Sequence, residues 1–147
     1  MPHTARTIRR AIHLINGRGL HTGDQFADGA GNFASLDVCA AIYCAAEGFP
    51  VPAEFHTDED AAIRLIECSA PAMATIRAVS DHLDTQPPYT EIAPGIEVCD
   101  YIDHVSHWAA NRPTVVAAWY VEAAVVGRLI RIAEALEVPI PTAQLAA

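Results

Sequence analysis

The 147 residues give room for one domain with a full core, and the apolar fraction of 52% is enough to fill it. A net charge of −9, from 18 acidic and nine basic residues, opposes attraction to nucleic acid or to anionic lipid. No membrane span is expected, because the longest apolar stretch, Val115 to Ile132, is broken by Glu122, Arg128 and Arg131. The opening MPHTARTIRRAIHLING has basic residues but neither the apolar segment nor the small-residue cleavage site of a secretion signal, so a cytoplasmic location is expected. Four cysteines then argue for reduced thiols. Cys39 and Cys44 share one helix about 140° apart around its axis and cannot face each other.

Thr4 to Asn16 reads as a helix closed by Gly17, with Ile8, Ala11, Ile12 and Ile15 on one stripe. Arg6, Arg9, Arg10 and His13 lie opposite and give a basic face in a segment without acids. That face suits solvation beside acidic neighbours, or contact with an acidic partner or phosphate. Residues 17–31 hold five of the eight glycines and predict a loop. Phe26 and Phe33 flank the turn signal Asp28-Gly29, which suggests one small hairpin near 26–33. The loop is not a nucleotide cradle: Thr22 stands where GxGxxG needs glycine, and no strand precedes it.

The segment SLDVCAAIYCAAEG, residues 35–48, is apolar nearly all round, as expected of a central buried helix. Ser35 is its expected N-cap and Gly48 its terminator. Pro50 and Pro52 then break regular structure. A short helix follows from Thr57–Asp60 with Ile63, Leu65 and Ile66 inward, and a longer one opens at Ser69 and Pro71 with Ala72, Ile76, Val79 and Leu83 inward. Residues 85–98, with three prolines and a glycine, read as an irregular connection. DYIDHVSHWAAN, residues 100–111, is the next helix, stopped by Pro113. The last helix runs from about Val121 to Glu137, and a frayed tail follows from about residue 139. The expected architecture is all-α: residues 1–147 form one compact bundle of five to six helices around helix 35–48.

One chemical constellation stands out. Asp100, Asp103, His104 and His107 fall on one face of helix 100–111, with Asp100–His104 and Asp103–His107 as i,i+4 pairs. They are the candidate catalytic residues, and Asp100, His104 and His107 are the candidate metal ligands, zinc being the metal such a set would take. The simpler reading is a solvated face on which each aspartate favours its imidazolium. No G-x-S-x-G, HExxH or Cys/His ligand spacing accompanies them, and no cofactor is expected.

The N-terminal helix ending in a Gly-rich turn, Asp28-Gly29, LDVCAAIYCAAEG, DYIDHVSHWAANRP and the terminal VVGRLIRIAEAL together resemble an actinobacterial family, domain of unknown function 6197. The late segment is similar to a family motif in which a helix ends in a Trp-Asn pair; here Ala109 and Ala110 separate Trp108 from Asn111. The resemblance implies a single cytoplasmic domain of bacterial or phage origin and carries no activity with it. The expected function is a small cytoplasmic binding or interaction module, able to self-associate, with a protein as partner and a small-molecule ligand also compatible. Its contact residues would be Arg6, Arg9 and Arg10 on the first helix and Trp119 and Tyr120 in the apolar 115–120 segment. The alternative is a small enzyme or metal/ligand-binding protein using the Asp/His face of helix 100–111.

Overall fold

A computed structural model describes residues 2–31, 33–110 and 118–139. Within them the chain runs through α1 (Pro2–Arg18), α2 (Val38–Glu47), α3 (Glu54–Thr57), α4 (Glu59–Glu67) and α5 (Ala70–Asp81). A hairpin of β1 (Tyr89–Ala93) and β2 (Ile96–Cys99) comes next, followed by α6 (Tyr101–Ala110) and α7 (Ala118–Glu137). The fold is a helical bundle with one small antiparallel hairpin, and the single turn of α3 brings the described helices to seven. Pro113 and the tail beyond Pro139 lie outside the described residues.

Helix α2 is the centre, packed by α1, α4, α5 and α6. Val38, Cys39, Ala40, Ala41 and Ile42 are all fully buried, as a helix apolar on every side requires. Its N-cap is Asp37 and not Ser35: Asp37 Oδ1 accepts the Cys39 N–H at 2.7 Å. The start is delayed because Leu36 forms bridges to Leu20 and Ala27 that hold the preceding backbone extended. Gly48 does end the helix, at φ +91°, with its N–H on the Cys44 carbonyl. The predicted stripe of α1, Ile8, Ala11, Ile12 and Ile15, is buried against α2 and α7. Each of the three isoleucines contributes about 1.5–3 kcal/mol on burial.

The Gly-rich segment is a loop tied to the core and not the expected hairpin. Asp28 and Ser35 close it with two hydrogen bonds, leaving Phe33 94% exposed at the tip while Phe26 packs on Phe55. The two phenylalanines therefore do not pair. The hairpin lies instead at 89–99, in the stretch read as irregular, and turns through Pro94-Gly95 with Gly95 at φ +77°.

Candidate functional site

The basic face of α1 forms one lip of a cavity of about 750 Å³. Residues 6, 9, 10, 13 and 14 follow the i, i+3, i+4 spacing, so Arg6, Arg9, Arg10 and His13 stand in one exposed row with Leu14 below them. The floor is apolar: Cys44 and Ala45 from the C-terminal turn of α2, and Phe49 just past it. Arg18 stacks over the Phe49 ring at 4.6 Å and adds another cation at that end. Burial pushes the Cys44 thiol up to about 11, so it meets the cavity as a neutral, weakly polar group.

The far end is closed by Glu137, the last residue of α7. Arg9 Nε donates to Glu137 Oε1 at 2.6 Å and Nη2 to Oε2 at 3.0 Å, the two-pronged geometry natural to guanidinium and carboxylate. The pair raises the Arg9 pKa and lowers that of Glu137, chiefly through these bonds. Among the described residues, Arg6 and Arg10 have no carboxylate within ion-pair distance.

The Asp/His set of α6 is divided by the fold. Asp100 is spent on capping, its Oδ1 accepting the Asp103 N–H at 2.9 Å. His104 is 6% exposed and turns away from the other three, with Nδ1 2.6 Å from Ser80 Oγ and Nε2 2.7 Å from Thr85 Oγ1. Both ring nitrogens are thus engaged by hydroxyls between α5 and the loop after it. Asp103 and His107 are exposed, and with Asp100 they line a separate cavity of about 320 Å³. Among the described residues no three His, Cys, Asp or Glu side chains are grouped to hold a metal ion.

That second cavity also contains the carboxyl of Asp37, the N-cap of α2. Asp37 is 6% exposed at its back, and burial raises its pKa to about 6 against the opposing pull of the Cys39 N–H, Ser106 and Ala40. Ser106 Oγ donates to Asp37 Oδ1 at 3.1 Å, so α2 and α6 meet at a protonatable group. Asp24 and Glu59 add further carboxylates to the rim. No sequence motif marks this cavity, because its walls come from a loop and three helices.

Trp119 and Tyr120 open α7 as an exposed edge-to-face pair with ring centroids 6.1 Å apart, far from the core to which aromatic residues usually belong. Residues 115–117 of the predicted apolar contact segment lie outside the described residues. Among the described residues no helix is long and apolar enough to cross a membrane.

No curated protein and no solved structure matches this chain. Residues 1–127, which include α1, α2, α6 and both cavities' principal walls, match a family of unknown function, and the chain belongs to that family, DUF6197.

Proposed function

We propose that the protein is a small binding module whose recognition surface is the arginine groove, and that it takes an anionic ligand with an apolar body. One observation carries this reading: cationic side chains line one lip of a 750 Å³ cavity whose floor is apolar. A cavity of that size suits a small molecule, and a charged lip over an apolar floor selects both halves of an amphipathic one. Arg6 and Arg10 supply charge that no described carboxylate neutralises. The Asp/His face of α6 offers less, since two of its four members are occupied in holding the fold.

The test is titration with anilinonaphthalene sulfonate, an anionic aromatic dye that brightens in apolar surroundings. One dye per chain should bind the parent, and the Arg6→Gln/Arg10→Gln variant should bind it about tenfold more weakly, with the difference shrinking as salt rises. Equal binding by a folded variant would remove the groove from consideration.

Four unpaired cysteines, including the exposed Cys68, support placing this module in the reducing cytoplasm. Should chains associate, the exposed Trp119–Tyr120 pair is the surface we assign to that contact. Light scattering would then give a mass that rises with concentration in the parent and stays monomeric in Trp119→Ser.

A further inference from the structure

Within that reading, the geometry points to a ligand class: a free amphipathic carboxylate, its head in the guanidinium fork of Arg9 and its acyl chain along Leu14, Ala45 and Phe49. The inference rests on the groove being an anion site and adds the identity of the anion. Glu137 is what makes it specific. The carboxylate already in the Arg9 fork, at 2.6 and 3.0 Å, is the chain's own, delivered from the end of α7 to the mouth of the cavity. It shows what Arg9 is oriented to hold: a planar head with two oxygens side by side; a sulfate ester also offers the fork two oxygens, but as a much weaker base it accepts hydrogen bonds less strongly.

Glu137 is also an easily displaced occupant. The two side chains are 45% and 42% exposed, so water competes for the pair and salt screens it. A carboxylate arriving with an apolar chain would make the same two bonds and in addition cover the exposed part of Phe49 and the half-buried Leu14 and Ala45, which Glu137 leaves open to solvent. Arg6 and Arg10 line the same lip and Arg18 stands over Phe49, so with Arg9 four guanidinium groups face the released Glu137, the nearby Glu134 and the incoming anion. The apolar wall opposite the lip distinguishes this ligand from a small inorganic anion, which would have no use for it.

The experiment is displacement of the bound dye by decanoate below its micellar concentration, with decyl sulfate, butyrate, octanoate and phosphatidylglycerol vesicles in parallel. Decanoate should displace one dye per chain and bind several times more tightly than decyl sulfate, and butyrate should fail. Octanoate should be weaker than decanoate by up to about fifteenfold, at about fourfold per buried methylene. Arg9→Lys keeps the charge and loses the fork, so it should abolish the preference for decanoate over decyl sulfate, each displacement being referred to that variant's own dye affinity. Glu137→Gln should tighten decanoate binding severalfold. Dye bound through Arg6 and Arg10 but displaced equally by decanoate and decyl sulfate in parent and Arg9→Lys alike would overturn the carboxylate assignment and leave the anion groove standing. Binding to vesicles with no response to decanoate would overturn it too, in favour of a lipid surface. A parent that binds no dye and no decanoate would end both readings.

Discussion

His104 Nδ1 lies 2.6 Å from Ser80 Oγ, and this contact between two buried residues fastens α6 to α5. On the other side of the ring Nε2 meets Thr85 Oγ1 at 2.7 Å, which pins the start of the segment leading to the hairpin. The imidazole is a three-way joint. Removing it leaves the Ser80 hydroxyl buried without a partner and opens a space where the ring was. His104→Ala should therefore cost about 2–4 kcal/mol in urea unfolding. His107→Ala, three residues along and exposed, should stay within about 0.5 kcal/mol of the parent. The double variant Ser80→Ala/His104→Ala should lose less than the sum of its parts, because the orphaned hydroxyl goes with its partner. Two similar losses at positions 104 and 107 would show that the histidines share one environment after all.

Asp37 sets a pH dependence with a definite sign. Its pKa rises from 3.8 to about 6 on folding because the carboxyl is buried between α2 and α6. The folded chain thus holds this proton more tightly than the unfolded chain, and protonation favours folding. The contribution is complete below about pH 4 and is lost as pH rises through 6, a total of about 3 kcal/mol. Other carboxylates titrate in the same range, so the informative quantity is a difference. Asp37→Asn keeps an oxygen for the Cys39 N–H but does not ionise, and subtracting its stability profile from the parent's should give a curve that changes between pH 4 and 6 and is flat above 7. A flat difference across the whole range would mean that Asp37 reaches water.

How far the sequence could be read depended on whether one segment or several decided the outcome. The α1 stripe and the burial of α2 follow from periodicity and composition within single helices, and both match the structure. The N-cap of α2 was set elsewhere. Leu36 is claimed by Leu20 and Ala27, so the cap moves from Ser35 to Asp37, which a local reading favours no more than its neighbour. His104 shows the same limit: on a helical wheel it sits with Asp100, but α6 packs against both α2 and α5, and the second contact buries what the first leaves free. The hairpin at 89–99 was legible and was masked by its prolines. Pro94-Gly95 is a turn dipeptide, and YTEIA and IEVC on either side are rich in β-branched residues. Of the site, the arginine row was visible as a row; its apolar floor and Glu137 come from parts of the chain that only the fold brings together.

The cysteines should separate by exposure. Cys39 is fully buried and its thiol pKa is pushed well up, by burial first and by Asp37 next, and Cys44 is held at about 11. Thiolate is the reactive form, so both should resist alkylation in the native chain. Cys68 is exposed and Cys99 half-exposed. With dithiobisnitrobenzoate the native protein should react at Cys68 and then Cys99, and all four thiols should react after denaturation. Ligand in the arginine groove should further protect Cys44, whose residue lines its floor. Rapid native reaction at Cys39 would require α2 to open on its own, against its place at the centre of the bundle.

Two glycines at helix ends should respond in opposite directions to the same substitution. Gly48 has φ +91° and ψ −171°, a region essentially restricted to glycine, although nothing stands within 4 Å of where a Cβ would sit. Space is therefore not the obstacle. Gly48→Ala should lose about 1–3 kcal/mol from backbone strain alone, and Gly48→Asn should not rescue it, since asparagine tolerates the left-handed helical region but not this extended one. Gly17 lies inside α1, also with open space at its Cβ, and its φ is ordinary. Gly17→Ala should therefore stabilise by about 0.5–1 kcal/mol, mainly by narrowing the unfolded ensemble. Thermal melts of the two alanine variants, run side by side, measure the end of α2 against the end of α1: a Gly48→Ala protein as stable as the parent would mean that α2 runs on beyond Glu47 and that the groove floor at Phe49 is built differently.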